Sequence, residues 1–179
     1  MEMLKKAGLD TGAGSGGLPI QHHPAYVAND VVWIQGTLQT NGNPHNYINQ
    51  DGLLFLTIEE PHVAPWTFTG LPASEPPLIV TTTSRIQLIF FPGDDAMEQY
   101  REPIRTEKVM IHTPLAIIHG EAPFLSEAEL GNFLEFWRGA FFPITDASVY
   151  YLAESTAPQP AETPLLYINR EAVLSYTGG

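Results

Sequence analysis

Short runs of β-branched and aromatic residues, each closed by a cluster of Pro, Gly or Asn, alternate along nearly the whole chain. A helix needs an uninterrupted 3.6-residue periodicity, and Pro and Gly at this density break it. Short strands joined by turns are the architecture that tolerates such punctuation. The runs cover residues 25–38, 53–66, 78–91, 109–121, 140–152 and 165–176. Residues 39–52 hold four Asn with Gly, Asp and Pro, and 70–77 and 155–164 are Pro-rich, which is connection chemistry. With 44% hydrophobic residues the chain has the material for a buried core. The expected class is mainly β with one short α-helix.

The six runs fall into two sets of three with matching spacing. Laid over each other at an offset of 84, Ile34 and Gly36 meet Ile118 and Gly120, and Val27, Val31 and Trp33 meet Ile111, Leu115 and Ile117. At an offset of 86, Phe55, Ile58, Glu60 and Val63 meet Phe141, Ile144, Asp146 and Val149. At 87, Pro77, Leu78, Ile79 and Ile86 meet Pro164, Leu165, Leu166 and Val173. The drift is small and each step falls in a connection, which points to a tandem duplication of a three-stranded unit. Such a unit barely buries one sheet face alone, so a pseudo-two-fold sandwich or a small-barrel-like arrangement of the two is expected. Gly36 and Gly120 are the expected sites of a bulge or sharp bend.

The boundaries follow. Residues 1–21, with the run from Gly12 to Gly17, read as a flexible N-terminal arm. Residues 22–93 form the first repeat, 94–108 a charged linker interrupted by Pro103, and 109–179 the second repeat. The second repeat alone carries a helix signature over 126–138. Ser126 and Glu129 make a capping box, and Leu130, Phe133, Leu134 and Trp137 form one apolar stripe that Gly139 stops.

The second repeat also resembles a family of small bacterial proteins of unknown function. The residues that carry the likeness are Phe141-Phe142-Pro143-Ile144-Thr145-Asp146-Ala147-Ser148-Val149, followed by Leu166-Tyr167-Ile168-Asn169-Arg170-Glu171-Ala172-Val173. The first repeat departs from that pattern, with Thr82-Thr83-Ser84-Arg85 at the turn and no helix. The resemblance implies no catalytic residues.

Eight Lys and Arg against twenty Asp and Glu give a formal charge of -12, and thirteen of the acids follow Gly93. A field of that sign repels nucleic acid and anionic lipid, so neither is an expected partner. The absence of cysteine excludes disulfides, thiolate catalysis and Cys-based metal sites. No apolar run reaches the ~18 residues that span a bilayer. Two lysines near the N-terminus lack an apolar segment behind them, so no secretory signal is read and the cytoplasm is the default.

Asp10-Thr11-Gly12 is the aspartic-protease tripeptide, but that chemistry needs two facing aspartates and the second repeat lacks the motif. The following Gly run has neither the strand nor the Gly-Lys-Ser/Thr of a phosphate loop. The six histidines show no metal-ligand spacing, and no serine sits in a nucleophile elbow. His119 and Glu121, two apart on one strand, are a candidate pair for ligand or metal binding or for acid–base work. No catalytic, cofactor or metal residues are assigned. The expected function is a non-enzymatic β-rich protein–protein interaction or assembly module, with a protein partner or self-association through strand edges. The alternative is a small-ligand-binding or hydrolytic protein with a pocket between the repeats.

Overall fold

The computed structural model describes residues 19–101, 103–124 and 129–179. The first apolar run folds into two strands instead of one, because Asn29 turns the chain. Its Oδ1 accepts from the backbone N–H groups of Val31 and Val32, both at 2.8 Å, an Asx-type turn. Strands β1 (Ile20–Asn29) and β2 (Val32–Asn41) are therefore an antiparallel hairpin. Thr113 does the same in the second half. Its Oγ1 accepts from Ala116 N–H at 3.0 Å, between β6 (Thr106–His112) and β7 (Ala116–Pro123).

The runs at 78–91 and 165–176 are each split by one 3-10 turn, Thr83–Arg85 and Arg170–Ala172. They give β4 (Leu78–Thr82) with β5 (Ile86–Phe90), and β9 (Glu162–Asn169) with β10 (Ser175–Gly178). Strands β3 (Phe55–Pro65) and β8 (Phe141–Tyr151) complete the set. Each half thus contributes five strands where three were expected; the turns at 30–31, 83–85 and 170–172 carry no Gly or Pro, and the β6–β7 turn carries only Pro114 inside an apolar run. The first strand starts at Ile20, inside the expected arm, and residues 1–18, with Asp10-Thr11-Gly12, lie outside the described residues.

All ten strands form one open antiparallel sheet in the order β10-β6-β7-β8-β9-β5-β1-β2-β3-β4. The two halves follow the same path in the same register. Val27 faces Ile34 as Ile111 faces Ile118, Ile58 faces Ile79 as Ile144 faces Leu166, and Val27 faces Ile89 as Ile111 faces Tyr176.

The bulges repeat too. The β2–β3 register shifts between Gln35 and Thr37, and the β7–β8 register between His119 and Glu121. A Cβ on Gly36 would stand 2.6 Å from Ile58 Cγ2 and 2.9 Å from Glu59 O. On Gly120 it would meet Ile144 Cγ2 and, at 2.8 Å, Thr145 O. Opposite them Glu60 and Asp146 hold φ of 46° and 47°, the left-handed region that L residues avoid.

The halves join where β5 pairs β9, with Leu88 opposite Ile168, Ile89 opposite Tyr167 and Phe90 opposite Leu166. Side chains alternate faces along a strand. Leu88, Phe90, Leu166 and Ile168 therefore enter the core of the second half, and Ile89, Leu165 and Tyr167 that of the first. Both central strands are covered on both faces, which is why each reads as a continuous apolar run. The sheet is neither a closed barrel nor two sheets packed face to face. A two-fold arrangement would repeat the joint as β4 against β10, and among the described residues that second joint is not made.

The helical segments are short. α1 (Pro44–Tyr47) is capped by Asn43, whose Oδ1 accepts from His45 N–H and Asn46 N–H. α2 (Asp94–Glu98) opens the connection that was read as a linker, and that connection ends at Thr106, where β6 begins. The helix expected over 126–138 is reduced to a 3-10 turn, Leu130–Asn132, and α3 (Phe133–Phe136); 125–128, with Ser126, lie outside the described residues. Asn132 Oδ1 accepts from Glu129 N–H at 2.9 Å in a capping box that starts the 3-10 turn, and Asn132 itself, at φ -136°, separates that turn from α3. Trp137 is already extended, at φ -75° and ψ 121°. Among the described residues no helix is long and apolar enough to cross a membrane.

Candidate functional site

The β5–β9 joint sets α1 of the first half beside Trp137, Arg138 and Gly139, which follow α3 in the second, with residues 99–101 and 103–105 alongside. Between them lies a groove of about 1090 Å³. Asn49 fixes its floor by accepting from Phe141 N–H at 2.8 Å across the halves. Gly139 is needed there, because a Cβ would strike the Asn49 side chain. Trp137 Nε1 donates to Phe141 O at 3.0 Å, and the Trp137 carbonyl accepts from Arg170 at 2.7 Å, which holds the indole along one wall. On the other side Asn43 Nδ2 donates to Gln99 O at 3.0 Å, tying α1 to the connection.

His45 and Tyr167 form the inner end. Their rings stack at 5.5 Å and 26°, while Phe91 and Tyr100 meet the imidazole edge-on at 5.7 and 5.5 Å. His45 Nε2 lies 2.7 Å from Ala96 O, so it carries the proton; Nδ1, 2.7 Å from the Tyr167 hydroxyl, accepts. Burial pushes the His45 pKa below its ordinary value, with Ala96 O opposing that shift. Burial drives the Tyr167 pKa far up, so the hydroxyl stays protonated and donating. Both imidazole nitrogens are committed within the protein. No free ring nitrogen remains to accept a proton from a ligand.

The rim has the opposite character. Arg101, Arg105 and Arg138 line it, three of the eight basic residues of the chain, against one carboxylate among the described residues, Asp51. Arg105 lies over the Phe124 ring at 5.6 Å and pairs with Glu107. Arg101 and Arg138 have no carboxylate partner among the described residues. On a protein of charge -12 the groove is a local basic spot walled by Trp137, Phe124, Tyr100 and Tyr167.

His119 and Glu121 are elsewhere. His119 is exposed on β7 with its ring 5.5 Å from Tyr150, and Glu121 accepts from Thr106 Oγ1 at 2.7 Å. They flank the Gly120 bulge and do not line the groove. The other histidines are dispersed: His22 near Glu59, His62 near Glu75, His112 beside Ser175, and buried His23 at 3.6 Å from Asp95. Among the described residues no three His, Cys, Asp or Glu gather closely enough to hold a metal ion.

The groove residues were missed from sequence for a simple reason. His45 sits in an Asn-rich loop, Tyr167 inside an apolar strand, and the arginines in segments read as linker and helix. The one available signal was Asn43-Pro44, an N-cap followed by Pro at the first helical position, which marks α1. No family model matches the chain, and neither a curated protein nor a solved structure matches it.

Proposed function

We propose that this protein is a small-molecule-binding module, and that its ligand is a flat apolar or aromatic compound carrying an anionic group, held in the groove between the halves. The observation that supports this is the reversal of charge: three arginines and one aspartate line an aromatic-walled cleft in a chain with twenty acids and eight bases. Arginine suits such a site because its planar guanidinium both stacks on rings and grips carboxylate, sulfonate or phosphate oxygens. The volume, about 1090 Å³, lies slightly above the ~300–1,000 Å³ typical of ligand pockets. A hydrolytic reading lacks support at the same place. The lining includes no serine, threonine or cysteine among the described residues, and the one histidine there has both nitrogens engaged.

The two halves are best read as copies of one unit, with the groove as the place where their differences were put to use. α1 and the residue 99–105 connection come from one side, and Trp137 and Arg138 from the other.

Calorimetric titration with two probes of the same ring system tests the ligand class. These are 8-anilinonaphthalene-1-sulfonate and the uncharged N-phenyl-1-naphthylamine. The expected result is one saturable site that prefers the sulfonate by about tenfold or more, roughly 1.4 kcal/mol. Equal affinities, or no saturable site, would reject the reading.

A further inference from the structure

The joint between the halves has an unused counterpart at the ends of the sheet. In the joint, β9 of the second half pairs β5 of the first. By the shared register β9 corresponds to β4, and β5 to β10. The two terminal strands are β4 and β10. One chain therefore makes a heterologous joint once and, among the described residues, leaves both of its surfaces open once.

The side chains agree. Phe141, Leu165 and Tyr167 are buried to 2% exposure or less, because the first half packs over them at the joint. Their counterparts on the first half are Phe55, Leu78 and Val80, at 53%, 48% and 55% exposure. These lie on one face, since Phe55 pairs Thr82, Val80 pairs Thr57 and Leu78 pairs Glu59. The three equivalent positions are core in one half and exposed apolar surface in the other. Unpaired edges flanked by exposed apolar residues are strong templates for strand addition.

We propose that the surface of β4 with Phe55, Leu78 and Val80 binds a second copy of this chain, through that copy's β10. The register is that of the internal joint, with Ile79 opposite Thr177, Val80 opposite Tyr176 and Thr81 opposite Ser175. The association is head-to-tail, so it propagates from molecule to molecule or closes into a ring. It does not depend on the groove, and a failure of ligand binding leaves it intact.

Sedimentation velocity of the full chain from about 10 µM to about 1 mM covers the affinity range expected of a weak edge contact. The expected result is a mass that rises with concentration to at least the dimer, and its loss on Val80→Lys, an exposed position where lysine blocks an edge. Cross-linking fixes the polarity, because the chain has no cysteine of its own. Under mild oxidation a mixture of Val80→Cys and Tyr176→Cys proteins is expected to give a disulfide dimer that neither variant gives alone. A mixture of Ile79→Cys and Thr177→Cys serves as the second pair should loss of Tyr176 unfold the second half. A wild-type monomer at every concentration would overturn the proposal. Dimers formed by Val80→Cys alone, the mark of a β4-to-β4 contact, would overturn it too.

Discussion

The Tyr167 hydroxyl donates to His45 Nδ1 across 2.7 Å, joining two residues 122 positions apart and tying the second half of the sheet to α1 of the first. The imidazole in turn donates to Ala96 O, so one relay of two hydrogen bonds spans β9, α1 and α2. The relay is partly buried at the inner end of the groove, and losing one member weakens the others.

Tyr167→Phe removes the donor and leaves His45 Nδ1 without one. The expected cost is about 0.5–1.5 kcal/mol, the net worth of a hydrogen bond at this partly buried site on the groove. Urea denaturation measures it, with no change in m-value because the core volume is kept.

Acid should weaken the fold through the same histidine. Burial lowers the pKa of His45, and burial also lowers that of His23 against the opposing effect of Asp95. A histidine whose folded pKa lies below its unfolded value of 6.5 binds more protons unfolded than folded. Its contribution is therefore constant above about pH 7 and falls as pH drops below 6.5 toward the folded value. Melting temperature measured between about pH 7.5 and pH 5 is expected to decline, and His45→Gln to flatten the decline.

The bulge glycines should behave as a pair. Gly36→Ala and Gly120→Ala each force a Cβ against an Ile Cγ2 and a backbone carbonyl oxygen. Overpacking of this kind costs about 1–3 kcal/mol, and more where backbone is struck. The two losses are expected to be similar, because the surroundings are the same. Gly131→Ala, with nothing within 4 Å of its Cβ among the described residues, is the control and should change stability little. Chemical denaturation of the three variants checks this.

Opposite those glycines the backbone strain is measurable. Glu60 and Asp146 share a left-handed φ, but aspartate tolerates that region better than glutamate does. Glu60→Asn is therefore expected to stabilise by about 0.5–1 kcal/mol and Asp146→Asn by less. Thermal unfolding ranks the two.

Much of the sheet was legible in the sequence, for particular reasons. The continuous apolar runs Leu88 to Phe91 and Leu165 to Ile168 mark strands covered on both faces, and those are the two central strands. The offsets of 84, 86 and 87 between the halves match the observed registers, down to the 3-10 turns at 83–85 and 170–172. The turn at Asn29 rests on one side-chain acceptor inside a run that otherwise reads as strand, while the turn at Thr113 does carry a signal, Pro114, that the strand reading of 109–121 missed. The groove was not legible at all. His45, Tyr167, Arg101 and Arg138 meet only because β9 chooses β5 as its neighbour, and edge choice depends on tertiary packing that no local pattern records. His119 and Glu121 drew notice through period-two spacing, yet the bulge at Gly120 lies between them.

The most direct measurement on the groove is a calorimetric titration of 8-anilinonaphthalene-1-sulfonate into the wild-type protein and into Arg101→Gln/Arg138→Gln. Both arginines are exposed, so the fold should survive their loss. The expected result is a single site in the wild type and affinity reduced about tenfold or more in the variant, with the uncharged naphthylamine unaffected. Equal sulfonate affinity in the two proteins would contradict an arginine-rimmed anion site.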